Sequence, residues 1–354
     1  MELTIIIDYL LISIAASVAV NFLLRNFAKE KKILIDLPDR SRKFHKRPTP
    51  LVGGLSIFIA LMISGKLYID LNSLNGYMPN FSYQLIIASI PLLLIFLIDD
   101  IMGLRPWVRL LIQILISIYM IFATGIYLEN LGDLFGLGII NLGIFSIPVT
   151  IFCVVGLMNA FNMIDGINGL CAGCAMVALL FIGFHSGFIY DSMIILIIGS
   201  MIGFLIFNMR FFGLRRGVFL GDSGSNLIGF WVAWIAIYCS QNVLYDVKPI
   251  TMIWFVAIPL LDCVGLIFTR TKKRIPVSSP GRDHIHHKLM KKFSAEGSLV
   301  IILVIATFTS LIAIYLSNTY PSWVSTILFI IYASMYYLLN SYYSKILGKY
   351  KKHV

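Results

Sequence analysis

The chain predicts an all-α, polytopic integral membrane protein, a helical bundle of about eleven transmembrane spans. Three observations carry that reading. Of 354 residues, 59% are hydrophobic and only 13% are charged, where a soluble domain would carry about a quarter charged. Apolar runs of about 18 or more residues recur along the whole length, which is what a helix needs to cross a bilayer. Their periodicity is helical or continuous, without the alternating ten-residue segments of a β-barrel.

In order, the expected spans fall at about 3–24, 51–69, 83–98, 107–124, 142–161, 167–189, 193–208, 224–241, 249–269, 298–317 and 323–342. The first opens "MELTIIID", with two acids, no basic residue and no small-residue cleavage site. It therefore reads as a span and not as a cleavable signal. Between the fourth and fifth runs, "ENLGDLFGLGIINLG" (129–143) reads as a re-entrant or amphipathic piece. No repeat of fixed period shows, so one membrane-embedded domain over 1–354 is expected.

Basic residues set the orientation. They sit in alternate connections: nine in 25–50, two in 99–109, three in 208–223, eight in 270–297 and four in 343–354. Only Lys66 and Lys248 lie elsewhere. The N-terminus is thus expected outside and the C-terminus in the cytoplasm, which an odd number of spans satisfies. The main cytoplasmic loops are expected at about 25–50, 99–106, 162–166, 209–223 and 270–297. The net charge of +11 follows from this bias and from attraction to anionic membrane lipids. No motif supports nucleic-acid binding. All five cysteines lie in apolar runs, so no disulfide framework is implied. The Cys171/Cys174 pair reads as packing.

Charges are costly at membrane depth and are usually kept there for function. Here the acids, amides and histidines near span ends collect on one side. "LIDDIMGL" places Asp99 and Asp100 at the inner end of the third span. "NAFNMIDGINGL" places Asn159, Asn162, Asp165 and Asn168 at the junction of the fifth and sixth. "VFLGDSGSNLIGF" places Asp222 and Ser223 at the entry to the eighth, and "PGRDHIHHKLMKKF" follows the ninth. Taken singly, the acid pair could be solvated, the asparagines could pack helices, and Asp222 or Ser223 could cap a helix. Accidental convergence of all four is far less plausible. The remaining intramembrane acids are Asp262 and Asp8. A transporter would place more such groups at the midplane.

The chemistry of these clusters points to a phosphorylated substrate. Arg270, Lys272, Lys273, Arg274, Arg282 and Lys288 surround His284, His286 and His287, a set suited to a pyrophosphate. Neighbouring carboxylates would repel that anion unless a divalent cation joined them. Asp and Asn oxygens suit Mg²⁺, with Mn²⁺ as the alternative, better than Zn²⁺. A cytosolic pyrophosphate meeting a membrane-buried site suggests phosphoryl transfer to a lipid acceptor.

"DD" after the third span, "NAFNMIDGINGL", "FLGDSGS" and "HIHH", in this order, resemble the polyprenyl-phosphate N-acetylhexosamine-1-phosphate transferases. The resemblance runs from "LIDLPDRSRKFHKRPTPLVGG" (34–54) to "HIHHKL" (284–289). "HIHH" and "RKFH" look nearer the branch that uses UDP-GlcNAc than the branch that uses UDP-MurNAc-pentapeptide. It implies transfer of GlcNAc-1-phosphate from UDP-GlcNAc to undecaprenyl phosphate at the cytoplasmic face of a bacterial plasma membrane, opening a lipid-linked glycan pathway. It also implies residue roles. Asp222 and Asn162 match the metal ligands, Phe219 an aromatic that stacks on uracil, and Asp165 and Asn168 the nucleoside contacts. Asp99 and Asp100 match the pair serving the carrier phosphate. His284, His286, His287 and Arg270 match diphosphate and sugar contacts. Lys43, His45 and Lys46, with Arg282 and Asn159, fall where the family binds substrate. Two positions depart from the family pattern: Gly103 and Asn168 stand where relatives often carry an aspartate. An amide at 168 still pairs with a uracil edge but is no catalytic acid. Other UDP-sugars (UDP-QuiNAc, UDP-FucNAc, UDP-MurNAc-pentapeptide) and an anion transporter are the alternatives. A homodimer is compatible with the sequence.

Overall fold

The computed structural model describes residues 3–38, 47–71, 80–187, 192–245, 247–276, 281 and 283–350. Helices dominate: α1 (Leu3–Lys31), α2 (Gly53–Leu71), α3 (Asn80–Met102), α4 (Pro106–Thr124), α5 (Ser146–Ile164), α6 (Leu170–Ser186) and α7 (Ser192–Asn208). They continue with α8 (Gly221–Gln241), α9 (Pro249–Phe255), α10 (Ala257–Lys272), α11 (Ile285–Leu289), α12 (Ala295–Thr319) and α13 (Ser322–Tyr350). The protein is an all-α membrane protein in outline. Six helices among the described residues are long and apolar enough to cross a bilayer, or seven if α9 and α10 count as one span.

The run 249–269, expected as one span, is two helices, and the chain turns by 82° between α9 and α10. Pro259 sits in the first turn of α10. It has no N–H to continue the ladder from α9, so the helix restarts.

The segment 129–143, expected as a re-entrant or amphipathic piece, is largely extended backbone. Asn130 pairs with Asn141 in an antiparallel bridge, and Leu131 N–H donates to Ile140 O at 3.0 Å. Gly132, Gly136 and Gly138 all take positive φ, a conformation that does not propagate a helix. Phe135, Leu137 and Ile139 are exposed along it.

α8 is the axis of the bundle, buried along almost its whole length and packed by α2, α3, α5 and α6. Small residues permit this. A Cβ on Gly54 would fall 2.4 Å from Gly224 Cα, so α2 and α8 meet backbone to backbone, as small residues allow between apolar helices. Cys171 and Cys174 are buried free thiols. Polar side chains bridge helices where no water reaches: Trp231 donates to Ser89 Oγ (2.8 Å), and Ser56 to Asn21 Oδ1 (2.8 Å).

A small extended framework fixes how the chain enters α8. β1 (Ile35–Asp36) pairs antiparallel with β2 (Thr49–Pro50). Phe219 N–H donates to Pro50 O, while Gly53 and Gly54 N–H donate to Phe219 O and Leu220 O. Phe219, Leu220 and the N-terminus of α8 are thereby tied to the segment before α2.

Candidate active site

A cleft of about 890 Å³ opens at the N-terminal end of α8. Asp99, Asp100, Asp165, Asn168, Phe219 and Asp222 line it, with Asn208, Arg210 and Glu296. Four carboxylates singled out from sequence, more than 120 residues apart at the extremes, thus share one concavity.

The two adjacent aspartates do different jobs. Asp100 Oδ1 accepts from the Asp222 N–H (2.7 Å). Its Oδ2 accepts from the Ser223 N–H (3.2 Å) and the Ser223 hydroxyl (2.7 Å). It therefore caps α8 from α3, satisfying N–H groups that the helix cannot pair itself, with the negative charge at the positive end of the dipole. Asp222 and Ser223, open to a capping role from sequence, do not cap this helix, and no side chain caps it from within. Gly221 makes room: its φ is +80°, and a Cβ there would meet Asp100 Oδ2 at 2.7 Å.

Asp99 is buried. Its Oδ1 accepts from Leu104 N–H at 2.6 Å, and its Oδ2 lies 2.8 Å from Arg109 Nε as an ion pair. Arg109 Nη1 also donates to Asp222 Oδ2 at 3.0 Å. One guanidinium on α4 thus bridges the acid of α3 to the acid of α8. The second Asp222 oxygen accepts from Asn162 Nδ2 (3.0 Å), which also donates to Ser225 Oγ (2.9 Å).

Asn159 points elsewhere. It donates to Gln113 Oε1 (2.9 Å), while Gln113 Nε2 donates to Asn226 Oδ1 (2.7 Å). That chain runs beneath the cleft and locks α4, α5 and α8 together, the helix-packing role open to an amide.

Asp165 follows the end of α5 and keeps an exposed edge on the cleft. Enclosure by the cleft walls, reinforced by Asp222 and Asp100, holds its carboxyl above the ordinary carboxylate range. Asn208, at the end of α7, accepts from Gly169 N–H (2.6 Å) and donates to Val218 O (2.9 Å). It pins the "DGINGL" loop to the extended segment that carries Phe219.

The histidines lie beside the cleft, behind the same loop. His286 is buried, and neither ring nitrogen has a hydrogen-bond partner among the described residues. A Cβ on Gly166 would fall 1.9 Å from its Nε2, so only glycine fits there. Burial, then His287 and His284, pushes the His286 imidazole down to about 3. It is neutral at pH 7 and contributes no positive charge. His284 Nδ1 lies 2.8 Å from Asp262 Oδ2. His287 packs on His286 with ring centroids 4.2 Å apart. Arg270 is buried near Gly281. Lys43, His45, Lys46 and Arg282 lie outside the described residues.

A divalent cation fits the acid side. The facing groups are hard oxygens, and the single cation bonded to them among the described residues is Arg109. No group of three His, Cys, Asp or Glu side chains there could hold an ion unaided. Mg²⁺ is commonly held by one or two carboxylates plus substrate phosphates, which suits such a set.

Sequence reading missed Arg109, Gln113, Asn226 and Asn208. Arg109 had been weighed only as a positive charge for orientation. Its place one helical turn inside α4, after the acid pair, was the available signal.

Residues 82–240 match the family described as Glycosyl transferase family 4, and the chain belongs to that family. Among its relatives is the undecaprenyl-phosphate alpha-N-acetylglucosaminyl 1-phosphate transferase of Escherichia coli (strain K12), 33% identical over 322 residues, covering 89% of this chain and 85% of the relative. Proteins of the same name from Yersinia pestis (33% over 310 residues, 86% and 83%) and Haemophilus influenzae (33% over 312, 84% and 85%) are similar. The resemblance drawn from the four motifs is borne out.

Proposed function

We propose that the protein transfers GlcNAc-1-phosphate from UDP-GlcNAc to undecaprenyl phosphate, releasing UMP. One observation carries the site: four carboxylates, a uracil-sized aromatic and a neighbouring histidine helix gather around one cleft at the N-terminus of α8. The names of the similar transferases give the acceptor and the transferred group, and the motif resemblance gives UDP as its carrier.

In the reaction a phosphate oxygen of the carrier bonds to the sugar-side phosphorus, and the bond from that phosphorus to the bridging oxygen breaks, leaving on UMP. Catalysis of this kind is mostly positioning and charge neutralisation. A phosphate monoester has a second pKa near 6, so the carrier is already largely dianionic at neutral pH and needs no strong base. The hydrogen bonds of Asp100 and the ion pair of Asp99 support positioning over proton abstraction. Arg109, between Asp99 and Asp222, is placed to hold anionic oxygen near the reacting centre. Asp222 and Asn162 are the proposed ligands of Mg²⁺, which when bound would neutralise phosphate charge. Phe219 offers its ring to uracil, and Asp165 and Asn168 its nucleoside edge. His284, His287 and Arg270 bind diphosphate or sugar; His286, neutral, gives at most one hydrogen bond. Lys43, His45, Lys46 and Arg282 complete the substrate contacts.

The proposal includes the topology: eleven crossings in one domain, N-terminus outside, with the cleft in the cytoplasm of a bacterial plasma membrane. The alternation of basic connections supports it. A panel of UDP-sugars tests the donor; UDP-GlcNAc should give the highest kcat/KM, and preference for another UDP-sugar would reassign it. An impermeant maleimide on intact cells tests orientation. Phe293→Cys should stay unlabelled while Val243→Cys, exposed at the opposite end, should react. The reverse pattern would invert the protein.

A further inference from the structure

Asp262 is an acid inside an apolar helix, and its carboxylate is buried. Such a group is expensive to keep unless its oxygens are fully engaged. They are engaged by the histidine segment. Oδ2 lies 2.8 Å from His284 Nδ1, and Oδ1 accepts from the Ile285 N–H (2.9 Å) and from Tyr336 of α13 (3.3 Å). One carboxylate therefore grips the first residue before α11, the backbone of its first turn, and a third helix. Lys288 Nζ donates to Asn340 Oδ1 at 2.5 Å, docking the far side of α11 on α13 as well. On the opposite face, His286 fills the space that Gly166 leaves beside the cleft.

We infer that Asp262 is a positioning residue for the reaction: it fixes the tautomer and orientation of His284 and thereby seats the histidine helix against the "DGINGL" loop. The physical reason is hydrogen-bond polarity. Asp262 Oδ1 already accepts from two donors, and the geometry has Oδ2 accept likewise from a proton on His284 Nδ1. The ring then presents Nε2, which has no hydrogen-bond partner among the described residues. Without this acceptor the ring is free to take the other tautomer or to rotate, and what it presents to a substrate changes. The inference rests on the proposed transfer for its activity readout and on the geometry alone for its spectroscopic one.

The test is a double-mutant cycle on purified protein with UDP-GlcNAc and undecaprenyl phosphate. Asp262→Asn and His284→Gln should each lower kcat by about tenfold or more, the usual scale for groups that orient a functional histidine. In the double variant kcat should fall no further than in His284→Gln alone, because residues acting through one another do not add. A merely structural Asp262 would instead multiply the two losses, which overturns the inference. The second readout is the ¹⁵N spectrum of histidine-labelled protein, with the His284 signals assigned by their absence from His284→Gln. Asp262→Asn should shift them from the Nδ1–H pattern; unchanged signals overturn the inference whatever the kinetics. Tyr336→Phe, which removes one bond to Asp262 and keeps the carboxylate, covers a failure of Asp262→Asn to fold. It should lower kcat by about twofold to tenfold, and by nothing further in the His284→Gln background. If the unaltered protein does not turn over UDP-GlcNAc, the proposed function fails, and the ¹⁵N arm alone decides the Asp262–His284 pairing.

Discussion

The acid side and the histidine side of this site are built on opposite plans. On the acid side three of the four carboxylates are held from the front by groups of other helices: Asp100 by the N-terminus of α8, Asp99 and Asp222 by Arg109. On the histidine side the grip comes from behind, through Asp262, Tyr336 and Asn340. His286 meanwhile faces the loop with both ring nitrogens unpartnered among the described residues. The difference teaches where electrostatics and where shape set the site. The acid cluster holds more carboxylates than its one bonded cation, Arg109, neutralises, so a cation and phosphates can re-partner it, while the histidine helix is a packed wall.

The largest effect should come from breaking the acid plan at its centre. Asp222→Asn is expected to reduce turnover on the order of a hundredfold or more, the scale of losing a preorganised charge contact, while the protein still folds. Near-wild-type rates with unchanged metal dependence would take Asp222 out of the ligand set.

Asp100→Asn sharpens the comparison next. An amide keeps one acceptor where two N–H groups and a hydroxyl donate. Stability should fall by about 1–3 kcal/mol for a buried donor left unsatisfied, seen in the thermal midpoint without substrate. Donor binding should weaken too, because Asp222 rides on the helix end that Asp100 holds. A role confined to the carrier phosphate, as the family resemblance implies for this pair, would leave donor binding intact. A variant with an unchanged midpoint and intact donor binding would restore that simpler view.

Gly166→Ala attacks the wall by shape. Its Cβ would collide with His286, so α11 must shift, and turnover should drop about tenfold, within the scale on which small displacements near a reacting centre act. The acid cluster would be untouched. Full activity in this variant would show that the histidine helix need not meet the loop.

The smallest effect is a pH dependence. The His286 imidazole is pushed down to about 3 in the folded protein, against roughly 6.5 in an unfolded chain. The folded state binds fewer protons between these values. Stability is therefore complete above about 6.5 and is lost as pH falls below it, at up to about 1.4 kcal/mol per pH unit. Midpoints measured from pH 7.5 to 5.5 should fall more steeply for the parent than for His286→Gln. Parallel slopes would mean that the histidine is not buried neutral.

Much of this architecture was legible because a bilayer constrains sequence so heavily. Ten of the eleven expected spans coincide with one helix each, and Asp99, Asp100, Asp165, Asn168 and Asp222, named from their place at span ends, do share a cleft. What escaped depends on tertiary contact. Pro259 stood in an apolar run, and nothing local said that its missing N–H would coincide with an 82° turn. Asp100 caps a helix that begins 121 residues later, a partnership no local motif encodes. Arg109 looked like one of two charges in a short loop, and its bridging role required α3, α4 and α8 to meet. Asp262 was visible as a costly acid, but its partner His284 could be named only once α10 and α11 were seen together.

The most direct measurement of the central claim is product formation by the purified protein from labelled UDP-GlcNAc. Undecaprenyl phosphate should yield lipid-linked GlcNAc diphosphate and UMP in equal amounts. Both should vanish when the carrier is left out, when divalent cations are chelated, or in Asp222→Asn. UMP release that persists without carrier, or equal product from Asp222→Asn, would contradict the account.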